Sequence, residues 1–223
     1  MEFVDYPDAD MMALSLARRL GADLRAALGR RERAVFVVPG GTSPGPVFDL
    51  LAAADLDWHR VDIVPGDERW LPDDQPRSNA GQIRARLMQD KAAAARLLPL
   101  WRDSLSPAEG AEQAASTLDR LLPVDVALLG MGADMHTASL FPGAQGLEDA
   151  LAADAPSVLP IFAHQAPEPR VSLSARVLKA AYDVHLVITG ADKRAALERA
   201  KTLPPTEAPV AAILGRAVVH WAP

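Results

Sequence analysis

Four short apolar runs, each closed by glycine and succeeded at once by charged or hydroxyl residues, constrain this chain more than any other feature. They are AVFVV (34–38, closed by Pro39-Gly40-Gly41), VDIVPG (61–66), VDVALLG (124–130) and VHLVITG (184–190). Valine-rich runs without polar alternation read as strands buried on both faces. Between them the spacing turns helical. Leu14, Ala17, Leu20, Leu24 and Leu28 mark one apolar stripe through 8–29. Ser106, Pro107 and Glu109 spell a capping-box start for a second helix. Further helices are predicted from Ser174 and from Ala191. Strands of this type alternating with helices make an α/β fold, a parallel sheet covered on both faces.

At 223 residues the chain is long enough for one substantial core, and no linker or repeat divides it, so a single domain over 1–223 is predicted. Two stretches are less regular. The alanine-rich 92–95 segment reads as part of a helix, and the proline-bearing stretch 154–169 as a long excursion, a lid or an edge hairpin.

A formal charge of −6 argues against nucleic acid as the main partner, since phosphate-backbone binding needs a clustered basic face. There are no cysteines, which excludes disulfides, thiolate nucleophiles and cysteine-held metals. The acidic start MEFVDYPDAD lacks the pattern of a signal peptide, and no apolar run approaches the roughly 18 residues of a membrane span. A cytoplasmic enzyme or binding protein with no membrane partner is the expectation.

Ligands of open α/β sheets bind beyond the carboxyl ends of the strands, so the residues just after each run matter. After the first comes Gly40-Gly41-Thr42-Ser43-Pro44, the parts of an anion cradle, with Pro44 suited to the first turn of the next helix. The same residues would also serve a plain turn, and the loop is neither a P-loop nor a dinucleotide fingerprint. After the second comes Asp67-Glu68-Arg69, where Arg69 has the fork geometry to grip a phosphate or carboxylate, or simply to pair with its neighbours. After the fourth, Lys193 falls in the first turn of a helix, where its charge opposes the helix dipole unless an anion sits there. Arg170, before another strand-like segment, is a possible second cation.

The third loop, GMGADMHTASLFPG, is the most informative. Its Asp134 stands two residues before His136 on a glycine-rich turn, and a carboxylate so placed orients an imidazole as a general base. Thr137 and Ser139 look like the start of a helix whose amides would face developing negative charge. The other histidines, His59, His164, His185 and His220, have bulky or apolar neighbours that suit structural roles. One histidine and one aspartate are too few for a metal site, and no serine-hydrolase elbow is present.

In order and spacing, GGTSPGPVFDLL, VDIVPGDERWLPDDQPRSNAGQIRARLM, DVALLGMGADMHTASLFPG and RVSLSARVLKAAYDVHLVITGADKRAAL resemble the successive motifs of the 6-phosphogluconolactonases, which share a fold with the glucosamine-6-phosphate deaminases. The resemblance implies a Rossmann-like, mostly parallel sheet with helices on both faces. It also implies hydrolysis of 6-phospho-D-glucono-1,5-lactone to 6-phosphogluconate, with no required metal or organic cofactor. It places His136 on the general base, Asp134 on its neighbouring carboxylate, and Thr42, Ser43, Arg170 and Lys193 on the phosphate ligands. Arg69 becomes the substrate-proximal arginine of the DER motif, beside Asp67, and Gly40 and Gly41 form the phosphate loop. A monomer or weak homo-oligomer acting on a small sugar-phosphate lactone is expected.

Two departures are instructive. The family commonly has D-G-H where this chain has Asp134-Met135-His136, and a methionine held at positive φ is strained by roughly 1 kcal/mol or more. Deaminases commonly continue H-I-A-F-N-E-P, whereas HTASLFPG has no acid at the corresponding place. A deaminase-like enzyme is therefore the weaker alternative. A non-catalytic sugar-phosphate sensor is another, and such sensors usually carry a basic DNA-binding segment that is not seen here.

Overall fold

A computed structural model describes residues 1–164 and 166–223. The predicted strands form at Ala34–Val38 (β2), Val61–Pro65 (β3), Val126–Gly130 (β6) and Asp183–Thr189 (β9). The predicted helices form at Ala9–Arg30 (α1), Pro107–Leu118 (α4), Ala175–Ala180 (α6) and Ala191–Ala200 (α7). The capping box of α4 is complete, with Ser106 and Glu109 bonded reciprocally.

The main sheet has seven strands, all parallel, in the order β1-β10-β9-β6-β2-β3-β5. Three of these were not foreseen. Glu2–Asp5 (β1) and Arg96–Leu97 (β5) are too short to show a period, and Ala217–Ala222 (β10) is interrupted by His220. Side chains alternate across this sheet. Val35, Val37, Leu129, Leu186 and Ile188 point to one face, against α4, α6 and α7. Phe36, Val38, Leu128 and Val187 point to the other, against α1 and the helix Gly45–Ala52 (α2). Burial on both faces is why these runs carry no polar alternation.

A second, antiparallel sheet packs on the first of these faces. It joins Asp67–Arg69 (β4), Val158–Ile161 (β7) and Arg170–Leu173 (β8) in the order β4-β8-β7. The excursion 154–169 thus supplies one arm of a hairpin that is separate from the edge of the main sheet; its residue 165 lies outside the described residues. β4 is a strand made of Asp, Glu and Arg. It exists because β8 offers ladder partners, which no hydrophobic pattern announces.

Two local expectations were wrong. The alanine-rich segment is a 3-10 turn over Asp90–Ala94, because so few residues before β5 cannot nucleate an α-helix. No helix begins at Thr137 or Ser139: Met135 (φ 67°) and Ala138 (φ 49°) both take the left-handed region, which breaks a right-handed helix, and the next helix is Leu147–Leu151 (α5). A smaller shift places Pro44 at the N-cap of α2, with Pro46 inside the first turn. Among the described residues, no helix is long and apolar enough to cross a membrane.

The chain adds strands on one side of β2 as far as β5, then crosses to build outwards through β6 and β9. Strand order therefore reverses between β2 and β6, and their carboxyl-end loops splay apart to leave a crevice.

Candidate active site

That crevice is a cavity of about 330 Å³. Gly40, Gly41, Thr42, Ser43, Asp67, Arg69, His136, Arg170 and Lys193 all line it, delivered by the loops after β2 and β6, by β4 and β8, and by the first turn of α7. Asp134 stands behind His136, outside the lining. The parallel strands put their carboxyl-end loops on one side of the main sheet, and the antiparallel β4–β8 pair brings Arg170, at the start of β8, beside Arg69 at the same end.

The Asp134–His136 pair is held closely. His136 Nδ1 lies 2.5 Å from Asp134 Oδ1, leaving Nε2 as the free ring nitrogen. Burial pushes the Asp134 carboxyl up, but hydrogen bonds and charge from His136 outweigh it, so the carboxyl titrates below its usual range. The Phe141 ring packs on the imidazole, with centroids 4.4 Å apart. The turn closes through Gly132 N–H to His136 O and Met135 N–H to Gly132 O, each at 3.0 Å. Methionine therefore occupies a position that needs positive φ and carries that strain, with its side chain packed on the core beneath.

Gly132 has a steric role. A Cβ there would come 2.2 Å from His136 Nδ1 and 2.4 Å from Asp134 Oδ1. Gly132→Ala is expected to displace the pair and lower kcat/KM by about 10- to 100-fold, since misplacement by about 1 Å can cost that much. Circular dichroism and the melting temperature should change little, and undiminished kcat/KM would show that the pair tolerates the shift.

The cations are arranged at a cost. Arg69 and Arg170 are direct cross-strand partners in the β4–β8 ladder, a placement in which like charges destabilise. Arg170 is only 7% exposed, and its nearest acid, Asp67, is 3.9 Å away. Its Nε, like that of Arg69, is buried without a hydrogen-bond partner among the described residues. Burial pushes the Arg170 guanidinium below its usual value, with Asp67 opposing and Arg69 reinforcing. Two under-satisfied guanidinium groups side by side, with Lys193 lining the same cavity, have the charge and free donors an anion needs. Among the described residues, no group of three or more His, Asp or Glu side chains converges as a metal-ligand set.

Other polar residues of these loops are structural. The Thr137 hydroxyl donates to Gly130 O at 2.9 Å and the Ser139 hydroxyl to Asp67 Oδ2 at 2.5 Å, and both residues are fully buried. They brace the loop and are not the start of an oxyanion-facing helix. Glu68 is buried beneath the helix Asn79–Arg86 (α3), accepting from the backbone N–H groups of Arg69, Asn79 and Ala80. Burial pushes its carboxyl up to about 7, against the pull of those hydrogen bonds. The folded protein thus keeps a proton that an unfolded glutamate releases near pH 4.3, and about 3 kcal/mol of stability is lost as pH rises from there to 7. In urea melts, the stability of wild type relative to Glu68→Gln should fall across that window. A difference independent of pH would refute the shifted titration.

Asn79 and Phe141 also line the cavity and were not singled out from sequence. Both lie within stretches that carried the resemblance, but Phe141 reads as ordinary core and Asn79 as the start of a helix.

A family model described as glucosamine-6-phosphate isomerases/6-phosphogluconolactonase matches residues 7–221. The chain is 41% identical to a protein of Mesorhizobium japonicum named 6-phosphogluconolactonase, over 98% of this chain and 94% of that one. It is 40% identical to one of the same name from Pseudomonas aeruginosa, over 98% and 93%. A crystal structure of a 6-phosphogluconolactonase from Shewanella baltica superposes with a TM-score of 0.96 at 30% identity, covering 100% of this chain and 98% of that one.

Proposed function

Because the chain belongs to the glucosamine-6-phosphate isomerase/6-phosphogluconolactonase family, we propose that it hydrolyses 6-phospho-D-glucono-1,5-lactone to 6-phosphogluconate, the lactone step of the oxidative pentose phosphate pathway. The observation that carries this reading is His136, held from behind by Asp134, lining the same cavity as three cations. In the mechanism, the phosphate is gripped by Arg170 and Lys193 with the Gly40–Ser43 loop, and Arg69 and Asp67 face the sugar. Anchoring the far end of the substrate positions its ring over the third loop. His136 Nε2 takes a proton from water as the oxygen attacks C1. The protonated imidazole, stabilised by Asp134, then returns that proton to the ring oxygen as the C1–O bond breaks. No metal or organic cofactor enters these steps.

Phe141 favours lactone hydrolysis over deamination. It occupies the place of the glutamate in the deaminase pattern, and its ring packs on His136. The deciding experiment measures hydrolysis of freshly generated lactone above its spontaneous rate, beside ammonia release from glucosamine 6-phosphate. Lactone turnover without ammonia release is expected. Ammonia release without lactone turnover would overturn the reading.

A further inference from the structure

Most polar groups on the cavity wall donate hydrogen bonds: Arg69, Arg170, Lys193 and the hydroxyls of Thr42 and Ser43. They suit a phosphate. A sugar lactone also carries ring hydroxyls, and a hydroxyl proton needs an acceptor. Asp67 is an acceptor, but its carboxylate is already engaged by Ser139, Asn79 and Arg170.

Asn79 is differently placed. It begins α3, lines the cavity and is 2% exposed. Its Nδ2 donates to Asp67 O at 2.8 Å and to Asp67 Oδ1 at 3.1 Å. Both partners only accept, so the amide has one sensible orientation; reversed, its carbonyl would face two oxygens. Oδ1 is thereby turned towards Gly40, where an added Cβ would lie 1.8 Å from it. Glycine at 40 therefore leaves this oxygen room. Oδ1 is buried and has no donor among the described residues. The polar groups around it are satisfied: the Ser78 hydroxyl and the Asn79 and Ala80 amides all bond to Glu68. A buried carbonyl oxygen left without a donor costs free energy, which a ligand hydroxyl would recover.

We propose that Asn79 Oδ1 accepts a hydrogen bond from one ring hydroxyl of the bound lactone, making Asn79 a specificity-determining residue for the sugar. The inference rests on the lactonase reading above. A purely structural Asn79, bracing Asp67 through Nδ2, would affect every substrate alike, whereas an acceptor discriminates among substrates by one hydroxyl.

The test measures kcat/KM for the parent lactone and its 2-, 3- and 4-deoxy analogues, with wild type and Asn79→Ala. Wild type should hydrolyse one analogue about 10- to 100-fold less efficiently than the parent. In Asn79→Ala that penalty should shrink to about threefold or less, because the two changes remove the same interaction. Wild type that treats all three analogues like the parent would overturn the proposal, whether or not the variant folds. So would a penalty that persists undiminished in Asn79→Ala. Failure of wild type to hydrolyse even the parent lactone would reject the lactonase reading, and this inference with it.

Discussion

His136→Asn is expected to lower kcat for lactone hydrolysis by about 10²–10⁴-fold, the usual contribution of a positioned general base, or about 3–5 kcal/mol of barrier. The expectation comes from how the imidazole is held. With Nδ1 tied to Asp134 at 2.5 Å and the ring packed on Phe141, one nitrogen is left free for water. Asparagine keeps a polar group of similar reach but cannot cycle a proton. Because His136 is partly exposed and sits on a surface loop, the fold should hardly notice. Asp134→Asn should also be slow, by a smaller factor, since the amide orients the ring less well and cannot stabilise imidazolium. Turnover falling less than tenfold in His136→Asn would move the base elsewhere while leaving the lactonase reading in place.

Arg170→Met should separate function from stability in the opposite sense to an ordinary buried substitution. Losing a charge-assisted grip on phosphate is expected to reduce kcat/KM by about 100-fold, chiefly through KM. Truncating a buried, paired arginine normally destabilises. Here the guanidinium faces Arg69 across the ladder and pairs with Asp67 only at 3.9 Å. Asp67 keeps its bonds from Ser139 and Asn79. The melting temperature of Arg170→Met should therefore hold or rise, and its affinity for 6-phosphogluconate should fall in parallel with kcat/KM. A marked loss of stability with intact KM would show that Arg170 serves the fold.

The ease of reading this chain varied with the range of the interaction. Strands β2, β3, β6 and β9 were visible because burial on both faces favours apolar residues along the run, with Asp62 and His185 as buried exceptions. The α4 start was visible because its capping box is closed within four residues. β4 was invisible, since nothing in Asp-Glu-Arg signals a strand until Arg170–Leu173 pairs with it. The supposed helix at Thr137 failed for a related reason. Its hydroxyls looked like caps, but their partners are Gly130 O and Asp67, reached only through the folded loop.

Sequence was enough for the α/β class, the sidedness of the strand-end loops and the charged groups gathered there, but not for Asn79 and Phe141. Alternating periods and parallel strands dictate the class and the sidedness whatever the details. Tertiary structure alone decided that Arg69 and Arg170 stand opposite one another, that Met135 bears a left-handed turn, that Glu68 is sealed beneath a helix, and that Asn79 Oδ1 is packed against Gly40 without a donor. Each of these depends on contacts between residues distant in the chain, or on a turn geometry that only those contacts enforce, and no local period records them.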